Sequence, residues 1–453
     1  MTTVFESDWL GSRPYFYSQV SGTGSACIHD VIDYRNLEFD ADGLADYLDF
    51  GYCAFGYTPV RGVRFVRPNH RLVRDAAGRL TEQPLADPVD AWRGRRTKPG
   101  EVVDRLRAEV ERWEAAINGE IVLPLSGGYD SRLLALLLRN RSRVRAFTYG
   151  VSRDQEKSHE VTRARLVAQR LNLQWERVEL GRFHEKLGGW DDLFGISTHA
   201  HGMYHFEFFE HVRERVGGPA ALASGVIGDA WAGSIRPLPA NSPADLTGLG
   251  LSRGLHGSGD MSRLGSTGAH REEFWAARRH AFQDPDFQIV EVIRQKMILL
   301  SYLLTVPAHL GFQPWSPFLT PDVALSMMTL GAEQRENRRW QRELFERAGL
   351  AVEKEAGGSR QNVLDISAVE QAPPPPLDAR LLGEVVDAQR VQRINQALLQ
   401  PGAARRWWAQ ACGHPPVVRL CSLLRAPNPV VRAYGEYVTL KPIENLLRRR
   451  RQA

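Results

Sequence analysis

Cysteine is scarce in this 453-residue chain. The four present, Cys27, Cys53, Cys412 and Cys421, form no CxxC pair and have no zinc spacing. That argues against a disulfide scaffold and a zinc module, and predicts reduced, mostly packed thiols. No apolar run reaches the length of a membrane span, and Met1-Thr2-Thr3-Val4 opens without a basic stretch or an apolar one. A cytoplasmic protein with no membrane attachment is expected. Excess charge is also lacking: the net charge of +5 is small for this length, and much of it sits in Arg448–Arg451. That run reads as a solvated helix end, so no nucleic-acid partner is expected. No internal repeat is found.

What the chain does have is one informative stretch, Ile121-Val122-Leu123-Pro124-Leu125-Ser126-Gly127-Gly128-Tyr129-Asp130-Ser131. Apolar residues of high strand propensity run into Ser-Gly-Gly, and a Leu-rich helical pattern follows, so a buried strand, a tight turn and a helix N-terminus are predicted. The turn contains neither GxGxxG nor the lysine of a P-loop, which removes the dinucleotide and Walker-type readings. Glycines let a backbone approach an anion closely, and the first N–H groups of a helix point at it. Ser126 and Ser131 add hydroxyl donors. Asp130 would repel a phosphate, so its natural partner is a divalent metal that the phosphates also hold.

From Ile121 onward, strands alternate with helices. Val144–Gly150, Gln174–Leu180 and Ala220–Gly225 read as further strands, with a helix over Ser158–Asn172. This predicts an α/β fold with a parallel, doubly wound sheet whose ligand sits at the carboxyl ends of the strands. Ser126-Gly127 and Ser224-Gly225 both end strands and can face one another there. Residues 1–90 read as a small β-rich unit, with a helix at Asp40–Gly51 and a hairpin of Val63–Val66 with Arg71–Val73. Pro84–Gly100 reads as a linker, and 238–269, crowded with Gly, Ser and Pro, as a mobile excursion or lid. After the polyproline spacer Pro373–Pro376 the pattern is helical.

Ser-Gly-Gly-x-Asp-Ser resembles the pyrophosphate loop of the ATP pyrophosphatase (PP-loop) superfamily, and the wider chain resembles the asparagine synthetase family. Asp8–Tyr17, Phe50-Gly51 and Gly62–His70 match pieces of that family's Ntn-type glutaminase domain. Thr2 stands where the family has its nucleophilic cysteine, so the unit is expected to be a truncated, inactive remnant. The resemblance implies three segments: 1–90, the glutaminase-like remnant; 91–370, the ATP-pyrophosphatase domain; and 371–453, a helical C-terminal extension.

Ser224-Gly225-Val226-Ile227-Gly228-Asp229 resembles the family's S-G-E-G-S-D-E. It implies that Asp130 and Asp229 hold Mg2+ for ATP, with Leu125, Ser126, Gly127, Gly128, Ser131, Thr148, Tyr149, Gly150, Ser224 and Gly225 around the nucleotide. Ala351-Val352-Glu353-Lys354-Glu355 resembles the family's R-x-K-E and implies Lys354, with Arg360 as fallback, as the cation that stabilises developing charge. Val226 replaces a family glutamate thought to help deprotonate ammonia, so any base comes from elsewhere. His199, His201, His205 and His211 lack the glutamate of a helical zinc site, and packing or the acceptor pocket is expected for them; Glu207 and Glu210 are alternative bases.

The implied activity is AMP-forming carbon–nitrogen ligation in biosynthesis. ATP adenylates a small-molecule or peptide carboxylate, pyrophosphate leaves, and an amine takes the acyl group, as in the β-lactam synthetases and lasso-peptide cyclases of the family. A sugar-acid or surface-polysaccharide amide synthetase using ammonia, and a catalytically degenerate nucleotide-binding or regulatory homologue, are the alternatives. A homodimer or a biosynthetic partner protein is left open.

Overall fold

The computed structural model describes residues 2–233, 235, 240–250, 259–412, 414, 416, 417, 420 and 428–453. The first part holds six short strands: β1 Thr2–Glu6, β2 Phe16–Ser18, β3 Gly24–Ser25, β4 Val63–Phe65, β5 His70–Arg74 and β6 Leu80–Pro84. They form two antiparallel three-stranded sheets, β1-β5-β6 and β3-β2-β4. The expected hairpin of 63–66 with 71–73 is therefore not formed. Val63 and Phe65 of β4 belong to the main core, whereas Leu72 of β5 packs with Tyr17, Val66 and Leu80 in a separate small one. Asn69, at φ 59°, turns the chain from one sheet to the other.

The strand expected at Ser25–Ile28 stops at Ser25. The Ser25 hydroxyl accepts from the Cys27 N–H and donates to Asp30, drawing the backbone into a 3-10 turn over Ile28–Val31. The helix expected near 40–51 is present as Ala41–Phe50. Asp40 caps it by accepting from the Gly43 N–H at 2.8 Å, and Gly51 ends it in the left-handed region.

The segment read as a linker is packed. Val89 and Trp92 are buried, and Asp87 accepts two bonds, 2.7 and 2.9 Å, from the buried guanidinium of Arg294. Of 238–269, residues 238, 239 and 251–258 lie outside the described residues. Its last part is held in place, because Asp42 accepts from Ser266, Thr267 and Gly268 at 2.6–2.8 Å.

The second part is built on β7 Ile121–Pro124, β8 Val144–Tyr149, β9 Gln174–Val178, β10 Ala221–Ala223 and β11 Gln313–Trp315. All four pairings are parallel, in the order β11-β10-β7-β8-β9. The protein is thus a mixed α/β fold with a parallel five-stranded sheet, two small antiparallel sheets and a helical C-terminal region. Ile121, Val122 and Leu123 are all buried, as strands covered on both faces require. From β7 the chain winds one way to β8 and β9, then crosses back to β10 and β11. The reversal lies between β7 and β10, the place where open α/β sheets leave a crevice at their carboxyl ends.

One apolar core runs from Trp9 through the sheet to Leu447 in the last helix, Pro429–Gln452. The arginine run at the end of that helix is not merely solvated, contrary to expectation. Arg449 bonds Asp191 and Asp192 at 2.8 Å, Arg450 and Arg451 bond Glu384, and Arg448 bonds Glu444 at 2.6 Å. No described helix is long and apolar enough to cross a membrane.

Candidate active site

At the carboxyl ends of β7, β8 and β10 lies a cavity of about 610 Å³. Leu125, Ser126, Gly128, Tyr129, Asp130 and Ser131 line it from the first strand–helix junction, Thr148 and Tyr149 from the second, and Ser224–Ile227 with Asp229 from the third. The first junction is shaped by its own side chains. The Ser126 N–H donates to the Ser131 hydroxyl at 3.2 Å, and the Gly128 N–H to the Ser126 hydroxyl at 3.3 Å. Gly127 is at φ +67°, and a Cβ there would sit 2.5 Å from Arg163 Cβ and 2.9 Å from the Ala164 N. Only glycine fits that turn. The helix Tyr129–Leu137 starts with no side-chain cap, so its first amides remain available to a ligand.

The two aspartates lie together. Gly225 and Gly228 let their strand end press on Asp130, since a Cβ at either would approach Asp130 Cβ at 3.1 Å or its Cγ at 2.8 Å. Asp130 Oδ1 is shut off from solvent and has no hydrogen-bond partner. Burial, and then the charge of Asp229, push the Asp130 carboxyl up to about 7, against the opposing charge of Arg338. A buried carboxyl with one oxygen unpartnered, beside a second carboxylate, suits a magnesium ion, which takes one or two protein carboxylates and its other oxygens from phosphate and water. Ile227, just before Asp229, has φ 56°, an outlier for a β-branched residue.

Other residues named from the sequence take different places. Leu125 and Thr148 are locked together: the Thr148 hydroxyl donates to the Leu125 carbonyl and accepts from Trp175 Nε1. Gly150 is buried and does not line the cavity; a Cβ there would meet the Gln155 carbonyl at 2.3 Å. Lys354 is exposed and is not among the lining residues. Its neighbour Glu353 is held by the buried Arg132 at 2.7 Å. Arg360 is also exposed.

Glu207, read as an alternative base, is a buried cap whose carboxylate accepts from the Gly181 and Arg182 N–H groups at 3.0–3.1 Å. Glu210 pairs with Lys186. Among the described residues no group of three or more His, Cys, Asp or Glu is placed to hold a metal, so the histidines are not a zinc site. His205 alone of them lines the cavity, and burial presses it down to about 3, so it stays neutral. It can orient a donor but is too weak a base to carry a proton. His201 faces Asp365 at 3.3 Å.

Sequence reasoning missed Glu160, Arg163 and Arg338, which all line the cavity. No local motif marks them. Arg163 could have been found only from its place in the first turns of the helix His159–Leu171, the crossover that follows β8.

Residues 104–184 match the family model described as asparagine synthase. They take in the loop, β7, β8, β9 and the helices between them. A search of curated proteins returns no match. Among solved structures, the chain is similar to an NH3-dependent NAD synthetase from Campylobacter jejuni determined with a nitrate ion. The identity is 16%, with 55% of this chain and 96% of that chain covered and a TM-score of 0.22, a likeness too low to carry an argument. The asparagine synthase match supports an ATP-dependent, ligase-type amide synthetase in general terms.

Proposed function

We propose that this chain is an AMP-forming carbon–nitrogen ligase that activates a carboxylate with ATP and passes the acyl group to an amine. The observation that carries this reading is the meeting of Asp130, Asp229 and the Ser126–Ser131 loop on one cavity. The triphosphate would lie along the loop amides, with adenine toward Leu125, Thr148 and Tyr149. Asp130 and Asp229 would hold Mg2+, which when bound neutralises phosphate charge and aligns the α-phosphorus for attack. The substrate carboxylate oxygen then bonds to that phosphorus as its bond to the bridging oxygen breaks, and pyrophosphate leaves with the electron pair. Lys354, exposed and outside the cavity lining, would have to swing in to serve as the cation of the acyl-transfer stage. Glu160 is the cavity-lining carboxylate outside the metal pair, and we assign it the amine's proton.

The N-terminal unit is proposed as a structural remnant without glutaminase activity. Trp9 stacks on Trp231 at 5.8 Å, two residues beyond Asp229, and its indole donates to the Leu319 carbonyl at 2.7 Å. It buttresses the helix that carries Asp229.

Pyrophosphate release from Mg-ATP, measured over a panel of carboxylic acids with and without amines, tests the reading. Release that is lost in Asp130→Ala and Asp229→Ala is expected. Two observations favour a second reading, a nucleotide-binding homologue without turnover: Val226 puts an apolar side chain in the cavity, and Lys354 stands outside it. ATP binding with no pyrophosphate under any acid would select that one, and absence of both would sink the pair.

A further inference from the structure

Two arginines face the cavity without a salt bridge, although the Asp130 carboxyl lies within reach of the charge of Arg338. Arg163 and Arg338 both line it, and neither makes an ion pair or hydrogen bond with the described residues. Arg163 Nε is buried without a partner. The nearby carboxylate of Glu353 is engaged by Arg132 at 2.7 Å. The Arg163 Cβ also lies against Gly127, the residue that fixes the anion-facing turn. Arg338 is half-buried, and its guanidinium rests on the Tyr129 ring, 4.4 Å from the centroid.

Its backbone is unusual too. Asn337 and Arg338 are consecutive non-glycine residues in the left-handed region, at φ 48° and 55°. Each such residue costs on the order of 1 kcal/mol, and an observed outlier of this kind points to function when it aims a side chain into a site.

Electrostatics says what such a pair is for. Magnesium-bound ATP keeps a net negative charge, and Asp130 with Asp229 adds more of the same sign. A site made only of loop amides and two carboxylates would hold the triphosphate poorly, and would hold the separating pyrophosphate worse. Guanidinium groups bind phosphate oxygens by parallel N–H bonds, and a buried cation without a partner is costly until an anion arrives.

We propose that Arg163 and Arg338 bind the β and γ phosphates of ATP and stabilise pyrophosphate as the bond to the α-phosphorus breaks. They transfer no proton; they take up the charge that the leaving oxygen acquires. This rests on the reading of the preceding subsection, and it assigns the leaving-group end to residues other than Lys354.

The test is calorimetric titration of the full-length protein with Mg-ATP, Mg-pyrophosphate and AMP, using Arg338→Gly, Arg338→Lys and Arg163→Met. Glycine relieves the left-handed strain, so Arg338→Gly is expected to raise Tm. It should nevertheless weaken ATP and pyrophosphate at least about tenfold while leaving AMP within about twofold. Arg163→Met should weaken the same two ligands, and Arg338→Lys should restore part of the loss. Equal weakening of AMP and ATP would mean a structural role and would overturn the proposal. So would unchanged ATP affinity in both charge-removing variants while Gly127→Ala abolishes it, which would leave the proposed function standing. Failure of the unaltered protein to bind ATP would remove both.

Discussion

Arg132 and Glu353, 221 positions apart in the chain, meet at 2.7 Å beneath the Ser126–Ser131 loop. The Arg132 side chain is 0% exposed, and it also donates to the Gly127 carbonyl at 2.7 Å and the Leu350 carbonyl at 2.9 Å. One guanidinium thus fixes the loop's turning residue against the segment that ends in Lys354.

Arg132→Met should therefore harm both stability and binding. Removing it leaves two backbone carbonyls and a carboxylate without their donor, which costs about 2–5 kcal/mol. Thermal unfolding should show a clear drop in Tm, and Mg-ATP affinity should fall although Arg132 lines no part of the cavity. Glu353→Gln, which keeps the shape and one acceptor, should cost less in both measurements.

Asp130 links metal, pH and stability. Its folded pKa of about 7 lies above the ordinary carboxylate value of 3.8, so the folded state prefers the protonated form. The sign follows directly: stability is lost as pH rises from about 4 to about 7, and the penalty is complete above that. Asp130→Asn should then raise the Tm of the metal-free protein by a few degrees at pH 8 and hardly at all at pH 4, while abolishing pyrophosphate release. Mg2+ should stabilise the unaltered protein more at pH 8 than at pH 5. An equal Mg2+ effect in Asp130→Asn would count against the metal assignment.

Gly127→Ala should separate folding from binding. The added methyl meets Arg163 Cβ at 2.5 Å in a left-handed turn, so the loop must shift. Circular dichroism should remain that of the parent, and ATP affinity should fall at least about tenfold.

His205 and Glu160 make different predictions for the reaction. Since burial holds His205 down to about 3, His205→Gln should change rate or KM without moving any inflection between pH 5 and 9. Glu160→Gln should slow amide formation while leaving pyrophosphate release from the activated acid within about twofold. Loss of amide formation only in His205→Gln would reverse the two roles.

The local structure of the candidate site was legible because its determinants are adjacent in sequence. Ile121 to Ser131 codes its own strand, turn and helix start, and Asp229 follows a second Ser-Gly in like manner. Arg338, Arg163 and Glu160 were not legible, since packing across the sheet, not spacing, brings them to one cavity. The misread hairpin has the same origin. Strand pattern tells that Val63–Phe65 and His70–Arg74 pair, but not with whom, and each chose a distant partner, β2 and β1. The arginine run likewise looked like a solvated terminus until Asp191, Asp192 and Glu384 were seen beside it.

The last helix works as a clasp between the two parts of the fold. Tyr47 of the N-terminal unit donates to the Thr439 carbonyl, while His184 meets Tyr434 and Asp191 accepts from Arg449, so one rod holds two stretches that lie well over a hundred residues apart. Loosening that rod should therefore release both parts together and not one alone.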